Sequence, residues 1–193
     1  MSDLTVEQKK KVGKPLLWIG IASMAMAFAG LTSGYIVSRS SLLETNEWLV
    51  FPLPKIFYAS TIIILISSFV IGLGVKKIKE GKVREANLLL LVTLILGIAF
   101  GLAQLMGWGD LLEESIYFTG PGHNTAGSWV YVLTGFHLAH VTAGLITLLV
   151  TWIRSMSGKY TQDNTLGYEM AAIFWHFLDV LWIFLFLFLL FYR

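Results

Sequence analysis

An all-α bundle of five transmembrane helices is the fold class this sequence predicts, and three observations carry it. Of 193 residues, 56% are hydrophobic, 14% aromatic and only 13% charged, where soluble domains carry ~25% charged residues. The mean hydropathy is +0.72, so the apolar surface exceeds what a core can hide and needs lipid to cover it. The charges fall between apolar runs, each long enough to cross a ~30 Å hydrocarbon layer at ~20 helical residues. Finally, the runs do not alternate polar with apolar, and in lipid the backbone must bond itself, which leaves helices over barrel strands.

The first element is the charge-free stretch 15–38, between Lys14 and Arg39. It follows a polar Met1 to Lys14 segment and is longer than a signal-peptide core, so it reads as a retained span. The second runs over 56–75, between Lys55 and Lys76, and the third over 86–107, between Glu85 and Asp110. After Glu114 the next apolar stretch is too long for one helix. Its opening, SIYFTGPGHNTAGS, is rich in Gly, Pro and small polar residues, which assigns a loop to about Ala126 and a fourth span over 127–153. The fifth covers 168–191, with Glu169 at its edge and His176 and Asp179 inside it. The whole of 1–193 reads as a single membrane domain without internal repeat or low-complexity tract.

Lysine and arginine in short loops set orientation. With the N-terminus cytoplasmic and the C-terminus outside, eleven of them, from Lys9 to Lys159, face the cytoplasm, and only Arg39, Lys55 and Arg193 face out. Trp48, Trp108 and Trp129 then fall near the outer interface, where aromatic rings anchor. A net charge of +2 is too small for a nucleic-acid partner, and the absence of cysteine removes disulfides, Fe–S clusters and thiolate chemistry together. Close helix approach needs small residues, and Gly30/Gly34, Gly97/Gly101 and the row Gly135, Ala139, Ala143 supply them. The Met24 and Met26 pair reads as ordinary packing.

Ionisable groups inside a membrane face protein or water, so His137, His140, His176 and Asp179 are the leading candidates for function. Each pair is three residues apart on one helical face, and all four lie near mid-membrane. Glu169, Ala172, His176, Asp179 and Ile183 form a stripe expected to be buried against protein, flanked by Trp175 and Trp182, whose indole N–H groups are candidate donors to the carboxylate. Three chemistries remain open for the cluster. It offers acceptable ligands for iron or zinc, it supplies titratable groups for a proton relay, or its members bond one another and tie helices together. Gln104 is a candidate for a bond to another helix or to a lipid headgroup. Glu169 reads as a solvated or headgroup-level carboxylate, and His123 as an exposed turn residue.

Two long segments carry a family resemblance. Thr134-Gly135-Phe136-His137-Leu138-Ala139-His140-Val141-Thr142-Ala143-Gly144 and, on the last helix, Gly167-Tyr168-Glu169-Met170-Ala171-Ala172-Ile173-Phe174-Trp175-His176-Phe177-Leu178-Asp179-Val180-Leu181-Trp182-Ile183-Phe184 resemble subunit III of haem-copper oxidases. Five spans match the short bacterial form, and the likeness covers about residue 50 to the end.

The resemblance implies an accessory core subunit of a proton-pumping terminal oxidase in aerobic respiratory electron transport. It sits in the bacterial inner membrane beside subunits I and II and supports the catalytic subunit, its proton uptake and bound phospholipids. It implies no catalytic, cofactor-binding or metal residue in this chain, haem and copper belonging to partner subunits, and it leaves open a larger respiratory supercomplex. Cytochrome c oxidase is the first reading, with a quinol oxidase or a membrane-anchored cytochrome b, holding haem between His137 or His140 and His176, as alternatives. Two departures stand out. Residues 15–38 contain no acid, Met24 lying where relatives carry a glutamate, which speaks against a proton role through that helix. Relatives also continue Gln-x-x-Glu where this chain has Gln104-Leu105-Met106-Gly107.

Overall fold

A computed structural model describes residues 6–120, 123–162 and 164–192. Pro121 and Gly122 of the expected loop and the outer charge Arg193 lie outside the described residues, as do the side chains of Lys9, Lys10 and Lys11. The described residues form five helices: α1 (Val6–Glu44), α2 (Lys55–Lys79), α3 (Val83–Glu113), α4 (Thr125–Met156) and α5 (Leu166–Tyr192). All five are long and apolar enough to cross a membrane. Every expected span lies inside one helix, and each helix runs past it at one or both ends.

Local chemistry explains the ends. Between α2 and α3 the chain reverses in Glu80, Gly81 and Lys82, and Gly81 takes φ +76°, a left-handed conformation that costs glycine little. Helix α4 begins at Thr125 rather than 127, because the Asn124 side chain accepts from the Ala126 N–H at 2.8 Å and caps the first turn.

Helices α2, α3, α4 and α5 form a ring in which each packs on the next and α5 closes back on α2. Helix α1 lies outside, and among the described residues it packs against α4 and α5 only. Aromatic side chains fill the ring. Phe100 sits between Trp182, at a centroid distance of 5.2 Å, and His137, at 6.1 Å, and Phe57 meets Trp182 edge-on at 5.8 Å. Such geometry contributes ~0.5–1.5 kcal/mol per pair beyond area.

Glycines make room for these rings. A Cβ at Gly107 would overlap the Phe57 ring, at Gly97 the Trp175 ring and Leu145, at Gly144 Leu178 and Trp175, and at Gly74 the Tyr168 hydroxyl. The expected glycine pairs behave differently. Gly30 has open space around it, and Gly34 receives the edge of Trp129. Ala139 and Ala143 are exposed, so the row expected from Gly135 does not pack helix on helix. The contact on α4 is Gly144, one residue past that row. Met26, expected to pack, is 76% exposed, because α1 turns that side away from α4 and α5.

The tryptophans assigned to an interface are packed. Trp48 meets Tyr35 at 5.2 Å, and the Trp108 indole donates to the Thr134 hydroxyl at 3.0 Å.

Candidate functional site

His137 points into the ring and is fully buried. Its imidazole lies 5.3 Å from the Trp182 ring at 30°, with Phe100 at 6.1 Å and Phe28 of α1 at 6.3 Å. Among the described residues neither ring nitrogen finds a hydrogen-bond partner. His140, expected beside it, is half-buried instead. Its ring lies near Phe28 and Phe136, at 5.6 and 4.7 Å, and its Nδ1 is 2.7 Å from the Phe136 carbonyl. A carbonyl accepts only, so that nitrogen carries the proton. Three residues on a helix turn a side chain by 60°, enough here to separate a core position from a flank.

On α5 the stripe is split by the packing. Ala172 and Asp179 are buried, whereas Glu169, His176 and Ile183 are half-buried, because the stripe follows the edge where α5 meets α2. His176 Nδ1 lies 2.7 Å from the Ser68 hydroxyl. That hydroxyl also lies against Asp179, which is 2% exposed and whose two oxygens make no hydrogen bond of good geometry among the described residues.

The flanking indoles do not serve the carboxylate. Trp175 donates to Ser67 at 3.0 Å and Trp182 to Thr61 at 3.0 Å. Helical spacing puts both rings beside Asp179 along the axis, but each indole reaches across to α2.

Gln104 completes the pattern by donating its amide to Ser60 at 2.8 Å, so the other helix, rather than a lipid headgroup, holds it. Four hydroxyls of α2, namely Ser60, Thr61, Ser67 and Ser68, therefore meet polar side chains of α3 and α5. Ser60 and Thr61 in turn donate to the Phe57 carbonyl at 3.0 and 2.7 Å, which lets each accept from its partner. Sequence reasoning missed these four. Their signal was present, because the pairs 60/61 and 67/68 repeat at seven residues and return to one helical face.

Glu169 is not a solvated carboxylate. Lys14 of α1 lies 3.1 Å from Oε2, Lys79 of α2 lies 3.2 Å from Oε1, and Thr165 donates to Oε1 at 2.9 Å. The charge joins three helices at the lysine-rich end. His123 is an exposed turn residue whose Nδ1 lies 2.9 Å from the Gly120 carbonyl.

The arrangement is that of interhelical ties. Among the described residues no three His, Cys, Asp or Glu side chains are placed to share a metal ion. His176 is bonded to Ser68 at the α2 edge while His137 lies among Phe28, Phe100 and Trp182, so the two imidazoles have separate surroundings.

A family model described as cytochrome c oxidase subunit III matches residues 49–193. Among similar proteins, the probable cytochrome c oxidase subunit 3 of Mycobacterium tuberculosis (strain ATCC 25618 / H37Rv) is 29% identical over 181 residues, covering 92% of this chain and 86% of that protein. The probable cytochrome c oxidase subunit 3 of Nocardia farcinica is 30% identical over 174 residues, covering 89% and 82%. Cytochrome c oxidase subunit 3 of Loxodonta africana is 32% identical over 179 residues, covering 86% of this chain and 64% of the relative.

Proposed function

We infer the function of this chain from its membership: it belongs to the cytochrome c oxidase subunit III family. In a haem-copper terminal oxidase it serves as a non-redox subunit, seated beside subunits I and II in a bacterial plasma membrane with its lysine-rich end in the cytoplasm. It keeps the catalytic subunit and its proton uptake intact. The observation that carries this reading is where four polar side chains of α3 and α5 find their partners. Gln104, Trp175 and Trp182 donate to α2 hydroxyls and His176 pairs with a fourth, so these four side chains tie α3 and α5 to α2. Haem and copper belong to the companion subunits.

A groove of about 660 Å³ between α1, α4 and α5 supports the phospholipid role. Leu16, Leu17, Met24, Val150 and Phe174 give it an apolar wall for an acyl chain, and Arg154 at its end suits a phosphate.

The test is purification from native membranes followed by separation of the subunits. The oxidase is expected to contain this chain with haem and copper in its companions. The isolated chain is expected to show no stoichiometric iron, copper or zinc and no haem band in a reduced-minus-oxidised spectrum. A haem band in the isolated chain would support the cytochrome b alternative and overturn this reading.

A further inference from the structure

Asp179 is buried halfway along α5, and its surroundings are poor in hydrogens to give it. The two indoles beside it on the helix are taken by Ser67 and Thr61. Among the described residues Ser68 supplies the hydroxyl that lies against it, and the same hydroxyl is 2.7 Å from His176 Nδ1. Ser60 and Thr61 give their hydrogens to the Phe57 carbonyl. Ser68 makes no such bond to its own helix among the described residues, so its hydrogen is left for Asp179 or for His176.

No cation offsets a charge at this position. Helices α1, α2 and α4 pack on α5, and the ion pairs that α1 and α2 make with it are those of Lys14 and Lys79 with Glu169. That carboxylate lies ~15 Å away toward the lysine-rich end, at ~1.5 Å per helical residue. On α4 the titratable side chains at this depth are His137, among Phe28, Phe100 and Trp182, and His140, whose Nδ1 meets the Phe136 carbonyl. Neither bonds Asp179.

A serine hydroxyl has one hydrogen to donate and lone pairs to accept with, so the row Asp179, Ser68, His176 can be wired in three ways. With Asp179 ionised, Ser68 donates to it and the Nδ1–H of a neutral His176 donates to Ser68. With His176 protonated as well, the directions are the same and the row carries an ion pair. With Asp179 protonated, the acid donates to Ser68, Ser68 donates to Nδ1, and the ring hydrogen sits on Nε2. The first arrangement leaves a carboxylate on a single donor in an apolar layer, and the second adds another charge to be desolvated. The third satisfies every shared atom without a charge, and burying an ionised group costs far more than burying a hydrogen-bonded neutral one.

We propose that Asp179, Ser68 and His176 form a proton-holding site at mid-membrane, in which the Asp179 acid is the donor and His176 carries its hydrogen on Nε2 at the half-buried α2–α5 edge. The site belongs to this chain and does not depend on the oxidase reading. Its ligand is a single proton. Passing that proton on takes the acid hydrogen to Ser68 and the Ser68 hydrogen to Nδ1, leaving a carboxylate and an imidazolium.

The experiment uses the full-length chain in lipid bilayers, isotope-labelled at its aspartate carboxyls and histidine rings, and solid-state NMR at neutral pH. Loss of a signal in Asp179→Asn and in His176→Phe assigns the two groups. Asp179 is expected to show the carboxylic-acid shift and His176 the Nε2–H tautomer. A carboxylate shift at Asp179, an Nδ1–H tautomer at His176 or an imidazolium there overturns the proposal.

Two variants test the coupling through Ser68. Asp179→Asn puts an amide N–H donor where the acid O–H stood, so His176 should keep the Nε2–H tautomer. Asp179→Leu removes the donor and frees Ser68 to accept from Nδ1, so an Nδ1–H signal comparable to the Nε2–H signal is expected. A His176 spectrum identical in wild type and Asp179→Leu, or an Nδ1–H tautomer in Asp179→Asn, overturns the shared site.

Discussion

Asp179 and Ser67 bear on each other through what surrounds them. From sequence, removing the carboxylate should strand the Trp175, Trp182 and His176 donors. In the structure Ser67 and Thr61 take the two indoles and Ser68 meets the imidazole, so Asp179→Leu unpairs none of them and removes a buried carboxylate that lacks well-placed donors. Its unfolding free energy in detergent is expected within about 1 kcal/mol of wild type. Ser67→Ala strands the buried Trp175 N–H, and about 1 kcal/mol is expected to be lost, between the ~0.6 average of membrane interhelical bonds and the ~3 of a fully unpaired donor. A larger loss in Asp179→Leu than in Ser67→Ala would contradict this. Periodicity found the candidate residues because ionisable groups are conspicuous in an apolar run. It missed their partners because a serine in a membrane helix can bond its own backbone and looks neutral in a sequence.

Among the elements, glycine is the residue whose role the sequence left ambiguous. A pair at four-residue spacing suggests two backbones in contact, yet Gly97, Gly107 and Gly144 each face a ring. Which neighbour carries the ring depends on rotation of a helix on another chain segment, which spacing within one helix does not encode. Gly144→Val, with Leu178 and Trp175 already against the position, should cost about 1–3 kcal/mol by overpacking. Gly30→Ala, with open space around it, should be neutral or stabilise by up to ~1 kcal/mol through helix propensity. Thermal unfolding of the two variants separates a ring socket from an open glycine.

At the α2–α3 turn, Lys77 lies 2.8 Å from Glu85 and Lys82 lies 3.1 Å from Glu80. These hydrogen bonds hold both carboxylates below their usual range and raise Lys77. Depressed carboxylates stabilise the turn above their ordinary pKa of about 4.3, and that contribution disappears as pH falls through the depressed values. Amide exchange around Gly81, corrected for intrinsic rate, should therefore rise on acidification below about pH 4 while α3 core amides stay protected. Equal protection at both pH values would remove the turn from the account.

For the molecule as a whole, the charge asymmetry makes orientation testable. Cysteines at Gly81 and Gly122 should label from opposite sides of sealed membranes, Gly81 from the cytoplasm, and labelling of both from one side would overturn the five-span topology. The number of helices was legible because charge punctuates each span, but the closure of α2 to α5 into a ring was not, since short connections fix only consecutive neighbours. The position of α1 reaches into how the protein is made. Helix α1 is made before α2 to α5, yet among the described residues it packs only on α4 and α5, whose first residues are Thr125 and Leu166. Until those helices follow, the Trp129 edge that fills the space at Gly34 and the Glu169 carboxylate that pairs with Lys14 do not yet exist. Helix α1 therefore gains its tertiary partners only when the second half of the chain has been made.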